Sequence, residues 1–381
     1  MPGACASRKG TLLIFSLWAA SLPAAAAHFT AHTIATDLKG GYQVVTADLN
    51  QDGRPDLIAL ASGMDELVWY ENPGWQRHVI VRGMHGMINC AAFDIDGDGT
   101  PEIVLASGFG GPGGKPSEGN LILLHHDGDP RGLWTEREID RLPMSHRLRW
   151  ANLGGESGHV LIDAPLTAAG AQPPHFPGRV PITLYHPGSW LRQLVTDADP
   201  GLIHGLLVFD WNGDGRDELL TAGFDGIHLL RLGESGHWSR ERLTADPSSD
   251  IAVGHLGTRR FLCAIQPWHG NTVAVYRRDQ NEWRRQVIDD SLVDAHTILT
   301  ADFDGNGRES IVAGFRGGKR SVYLYSAGDP SGEKWQRTIL DDGDMSAAAC
   351  AAADIDQDGR IDVVCIGTAT QNLKWYRNTS Q

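Results

Sequence analysis

Short apolar runs alternate along this chain with acidic, glycine-containing turns, and the stretch FDIDGDGTPEIVLASG, residues 93–108, shows the pattern most clearly. Aspartates take alternate positions ahead of Gly99, and Ile103, Val104 and Leu105 follow as an apolar run that suits a buried strand. The pattern predicts the turn of a β-hairpin.

The same turn recurs as DLNQDGRPDLI from Asp48, DWNGDGRDELL from Asp210, DFDGNGRESIV from Asp302 and DIDQDGRIDVV from Asp354. Decayed copies near Asn152 and Gly254 bring the count to seven, at spacings of 44 to 58 residues. A tryptophan-led strand keeps the same beat, beginning at Trp75, Trp134, Trp190, Trp238, Trp283 and Trp335. Each unit then holds four strands, which at about 40 to 50 residues per unit is the signature of a β-propeller blade. The expected fold is all-β, a seven-bladed β-propeller over residues 28–381. Its last unit ends at NLKWYRNTSQ without a tryptophan strand, while HFTAHTIATDL, residues 28–38, has the shape of GWQRHVIVRGM. That N-terminal strand is expected to complete the last blade and leave no open sheet edge.

Ahead of it, residues 1–27 carry Arg8 and Lys9, an apolar run from Leu12 to Leu22, and alanines from Ala24 to Ala27. This is the layout of a secretory signal peptide, too short to span a bilayer, so export to the periplasm or the extracellular space is expected. Net charge is −14, or −16 without Arg8 and Lys9, which disfavours nucleic acid and anionic membrane as partners. Cys90, Cys263, Cys350 and Cys365 remain after cleavage. They are too scattered for a disulfide framework, and buried free thiols are the expectation. Cys350 and Cys365 lie symmetrically about one hairpin turn, so a cross-strand bridge is the alternative.

Hard oxygen ligands at positions one, three, five and nine of a short turn are what calcium requires. The full sets are Asp48, Asn50, Asp52 and Asp56; Asp94, Asp96, Asp98 and Glu102; Asp210, Asn212, Asp214 and Glu218; and Asp354, Asp356, Asp358 and Asp362. A fifth loop offers Asp302, Asp304 and Asn306 but has Ser310 at position nine. These are not EF-hand loops, because the twelfth residue from Asp94 is Leu105, not glutamate. The expectation is structural calcium, or magnesium in some loops, pinning each hairpin.

In a four-stranded meander the turns after strands one and three share one face, so the acidic loops leave the opposite face free. There, six positions ahead of the motif start, stand Tyr42, His146, His204 and His296, with His85 a little earlier in its own blade. The connections after strand two add Lys115, His175, Trp268, His269, Arg316 and Arg320. Innermost strands converge on a propeller axis, so these groups are expected to ring one pocket for a small-molecule ligand. Zinc on His146, His204 and His296 would suit the same residues.

The acidic loops and the strands after them resemble FG-GAP or VCBS repeats. More closely, HRLRWANLGGESGHVLIDAPL, IHGLLVFDWNGDGRDELL, QPWHGNTVAVY, AHTILTADFDGNG and NLKWYRN resemble the propeller part of the aldos-2-ulose dehydratases and their bacterial relatives. That resemblance implies a carbohydrate lyase that dehydrates a ketosugar by β-elimination. It implies His146 or His204 as base, His296 as acid partner, and Arg316 with Arg149 as binders of the oxyanion and hydroxyls. Trp268 would stack on the sugar, and Tyr42, His85, His269 and Arg320 would line its site. The fungal enzyme of that family also carries cupin domains that take part in an isomerising step, for which this sequence shows no counterpart. The competing expectation is a non-catalytic propeller that binds carbohydrate or protein.

Overall fold

The computed structural model describes residues 27–380 apart from 115–116, 156–157 and 281. The expected leader, but for Ala27, and Lys115 lie outside the described residues. The strands form seven four-stranded antiparallel sheets. The innermost strands are Gly41–Ala47, Asn89–Phe93, Ser145–Asn152, Ile203–Phe209, Asp250–Leu256, Ala295–Ala301 and Ala347–Ala353. Each packs on the next and the first packs on the last, so the sheets are blades one to seven of a closed ring. Among the described residues no helix is long and apolar enough to cross a membrane.

Blade seven is completed from the other end of the chain, as expected. Phe29–Ala35 pairs antiparallel with Leu373–Asn378, Phe29 standing opposite Asn378. Its partner would otherwise be an unpaired edge.

Burial follows strand position. Second strands such as Asp56–Ala61, Ser310–Phe315 and Asp362–Gly367 are buried along their whole length, because neighbouring blades cover both of their faces. Outermost strands such as Thr135–Arg141 and Glu282–Asp289 have no fully buried residue and are highly charged. Trp69, fully buried on the third strand of blade one, packs with Leu49, Ile58 and Ile103 across the blade boundary. Burial of such aromatic and aliphatic groups is the main force holding one blade to the next.

Cys350 and Cys365 form a disulfide, which corrects the expectation of free thiols. Their strands pair in a register that sets the two residues directly opposite, with Cα atoms 4.1 Å apart. Symmetry about the turn was visible in the chain, but proximity of the two sulfurs follows from the pairing. Cys90 and Cys263 are free and buried.

Candidate functional site at the mouth of the ring

Five innermost strands skip one residue of pairing near their first position, at Tyr42, His146, His204, His296 and Ala348. A bulge of this kind leaves one residue out of the ladder and re-aims its side chain. Four of the five therefore gather over the axis. Tyr42 Oη lies 3.0 Å from His146 Nε2, and the His146 and His204 rings are 5.0 Å apart. His204 and His296 follow at 4.9 Å, and Tyr42 closes the circle at 5.3 Å from His296.

A loop of blade five adds another imidazole. His269 follows the second strand, Arg259–Gln266, with φ at 49°, a backbone state that non-glycine residues seldom adopt. The next residue must be glycine, since a Cβ on Gly270 would lie 2.2 Å from the Gln266 carbonyl oxygen. This tight loop puts His269 Nε2 3.3 Å from His204 Nε2.

Hydrogen bonds fix several tautomers. His204 Nδ1 donates to the Ser249 carbonyl at 3.0 Å and His296 Nδ1 to the Ala348 carbonyl at 2.6 Å, because a carbonyl can only accept. Each Nε2 is thus a lone pair aimed into the cluster, and that of His296 is buried without a partner. Arg147 reaches His146 Nε2 and His204 Nε2, each at 3.4 Å. Burial first, then the charges of Arg147 and Arg316, hold His146, His204 and His296 well below the usual histidine range. The same burial and Arg316 bring His269 down to about 4. All of these imidazoles are neutral at pH 7.

Access separates them. His146, His204 and His296 are about 2% exposed or less, whereas the His269 side chain is 29% exposed. Beside it, Arg316 Nη2 lies 3.1 Å from His269 Nδ1, and Asp294 takes the guanidinium at 2.9 and 3.1 Å. Asp294 Oδ1 is also 3.4 Å from His269 Nδ1 and competes for that nitrogen. Trp268, 4.7 Å from the His269 ring and packed edge-on against Phe176, walls the mouth.

The nitrogens of His204, His269 and His296 lie within 4.8 Å of one another. This set, with the orphaned His296 Nε2 and two carbonyls fixing ring orientation, fits a divalent cation. When bound, such an ion supplies Lewis-acid polarisation of a substrate oxygen. Sequence reasoning placed the trio on His146, His204 and His296, but His146 Nε2 is taken by Tyr42 and Arg147. Arg147 beside the trio repels a cation, so an anionic oxygen would have to complete the shell.

The other expected residues disperse. Arg149 bonds Asn89 and the Leu148 carbonyl, and with Tyr42, Arg147, Asp250 and His296 it lines an inner cavity of about 150 Å³. His85 and His175 are exposed, as is Arg320, and His85 lines a separate surface pocket with Met64 and Asp65. Arg147, Asp294 and Ser249 were missed. The first two adjoin residues already singled out, in HRLR and DAH, and their role depends on contacts across blades.

On the opposite face the acidic turns hold themselves together. The position-one aspartates accept backbone N–H groups, as Gly53 donates to Asp48 and Gly99 to Asp94 at 2.8 and 2.9 Å. Position five does likewise: Asp52, Asp98, Asp214, Asn306 and Asp358 each accept from the N–H two residues on. Position nine bonds the N–H of position two in the loops ending at Asp56, Glu102, Glu218 and Asp362. Positions one, three and nine converge, in Asp94, Asp96 and Glu102 and again in Asp354, Asp356 and Asp362. Buried carboxylate oxygens of Asp304 and Asp356 have no partner. Burial and neighbouring carboxylates push Glu102 and Glu218 up, and Asp56 to about 6. Crowded, partly unsatisfied carboxylates of this kind fit a cation of the calcium class.

Comparison with known proteins agrees with this architecture. Residues 48–105 and 302–365 match the FG-GAP-like repeat, and residues 118–279 match the β-propeller domain of aldos-2-ulose dehydratase. The aldos-2-ulose dehydratase of Phanerodontia chrysosporium is 24% identical over 290 residues, 65% of this chain and 32% of that protein. The matched region is therefore about a third of the relative. Among solved structures, a lectin of Agrocybe aegerita that recognises non-reducing terminal N-acetylglucosamine aligns over 80% of this chain and 81% of its own, at 14% identity and a TM-score of 0.50. A chain of the BBS1N complex with ARL6DN aligns over 92% and 97%, at 12% identity and a TM-score of 0.55. These two likenesses concern the fold alone. The chain is a seven-bladed propeller, two stretches of which match the FG-GAP-like repeat and which is similar to the propeller domain of aldos-2-ulose dehydratase.

Proposed function

We propose that this propeller is a carbohydrate lyase that removes water or an alcohol from a ketosugar by β-elimination at the histidine mouth. The observation that carries the reading is the partly exposed His269 beside Arg316, backed by buried neutral imidazoles. The relative's name supports the reaction class.

His269 Nε2 donates to the His204 Nε2 lone pair and Arg316 donates to the other ring nitrogen, so once a substrate oxygen takes up that guanidinium the lone pair freed on His269 is that of Nδ1. That nitrogen takes the proton α to the carbonyl, the C–H electron pair becomes the new C=C bond, and the β C–O bond breaks. The imidazolium then passes its proton to the departing oxygen, so atoms balance without a co-reactant. Arg316 stabilises the enolate oxygen and Trp268 stacks on the sugar face. Sequence reasoning gave the base role to His146 or His204; their burial moves it to His269, whose Nε2 touches His204. The calcium reading of the acidic turns and export through the leader belong to the same proposal.

The test is incubation with 1,5-anhydrofructose and with 3-keto-glycosides, following ultraviolet absorbance of the enone product. Absorbance that is lost in His269→Ala and Arg316→Ala supports the lyase. Silence with every ketosugar would overturn it and leave a sugar-binding propeller.

A further inference from the structure

Blade five breaks the acidic pattern. Where five blades carry an aspartate turn between strands one and two and blade three reads LGGESG, this one reads LGTRR, residues 256–260. The substitution reverses the local charge and opens a cavity of about 520 Å³ on the acidic-turn face, remote from the histidines. Its walls include Arg259 and Arg260 from that turn, Arg277, Arg278 and Trp283 from the next hairpin, and Trp211 from the turn of blade four.

Charge and shape point the same way. Arg277 and Arg284 have carboxylate neighbours, Glu333 at 3.6 Å and Asp279 at 3.7 Å. Arg259, Arg260 and Arg278 have none within 4.0 Å among the described residues, although Arg260 feels Asp210 and Glu218 of the neighbouring turn, and this on a chain of net charge −14. The Arg260 guanidinium lies 4.4 Å over the Trp211 ring and that of Arg278 lies 5.8 Å from the Trp283 ring. Stacking uses the guanidinium face; Nε of Arg260 is buried, and the terminal N–H groups are left for an anion. The two indoles are 6.0 Å apart and tilted by 59°. That V shape cannot sandwich a flat base, which needs two parallel rings about 7 Å apart, but it offers apolar faces to a puckered pyranose.

We infer that this cavity is a binding site for an acidic oligosaccharide, its uronate or sulfate held by Arg259, Arg260 and Arg278 and its ring resting on Trp211 and Trp283. The site is independent of the lyase chemistry. It would anchor the protein on a charged glycan while the opposite face remains open.

Titration calorimetry of the full chain tests this with oligogalacturonate and a heparin-derived oligosaccharide, which separate carboxylate from sulfate. A neutral cello-oligosaccharide and ATP serve as controls. The expected result is binding of at least one acidic sugar that weakens with salt and falls by about tenfold or more in the double variant Arg259→Glu, Arg278→Glu, whose melting temperature should stay unchanged. Binding should fall also in Trp283→Ala, whose melt should drop because Trp283 packs on the core. Both arginines are exposed, so the double variant should fold. No binding of either acidic sugar, equal binding of the neutral one, preference for ATP, or unchanged binding in the variants would each overturn the inference.

Discussion

The two ends of the ring hold their polar groups in opposite ways. At the histidine end, bulges turn imidazoles inward, and burial strips them of charge. At the other end, turns hold carboxylates near solvent, where their own backbone N–H groups and a cation can satisfy them. The same repeat therefore places buried, neutral imidazoles on one face and crowded carboxylates on the other, because a bulge at the strand mouth aims at the axis while a hairpin turn aims outward. Blade five departs from the second pattern, and its basic turn shows that the hairpin tolerates either charge once the strands around it are buried.

The severest test removes the closure on which both ends depend. Deleting residues 29–35 exposes the edge of Leu373–Asn378, and the expected outcome is loss of the whole stability of the ring, about 5 to 15 kcal/mol, seen as loss of the cooperative melt. An unchanged melt would disprove the closure.

The next breaks the histidine end alone. His269→Ala or Arg316→Ala should lower kcat/KM on a ketosugar by about 10²-fold or more without shifting the melt, while His85→Ala and Arg320→Ala should have no effect. Equal losses in all four would mean that the site lies elsewhere.

Chelation breaks the other end. At pH 7, removing calcium should lower the melting temperature, and calcium at about a hundred times its Kd should restore about 2.7 kcal/mol per independent site. Asp96→Asn and Asp356→Asn should blunt that response.

The smallest effects come from pH and have opposite signs at the two ends. The raised pKa of Asp56 means that its protonated form favours the fold, a contribution complete below about 4 and lost as pH rises through about 6. Without calcium the turns should therefore weaken as pH climbs from about 4 to about 6 and change little above that. The buried histidines take up protons only when unfolded, so their contribution is complete above 6.5 and lost as pH falls below it. His269, near 4, should keep the acid limb of kcat/KM below pH 6; a limb at 6.5 would assign the base to an unperturbed histidine.

Much of this molecule was legible in the chain because its signals are local. Aspartates at alternate positions before a glycine mark a turn wherever they occur, and Tyr42, His146, His204 and His296 share one offset from that turn because the bulge sits a fixed strand length away. His269 was legible as a loop histidine but not as the reachable member of the cluster. Arg147 was silent because its contact with His204 comes from another blade. The disulfide was open in sequence for the same reason, since its sulfurs meet only through strand register.

The sequence by itself determined the repeat, the number of blades, the strand that closes the ring and the face on which each kind of residue emerges, since all of these follow from short-range patterning. Only the tertiary structure decided which imidazoles touch, which one meets solvent, which are held neutral, and that the decayed turn of blade five opens a basic, tryptophan-walled cavity. Contact and burial between blades are properties of the closed ring, and no single repeat contains them.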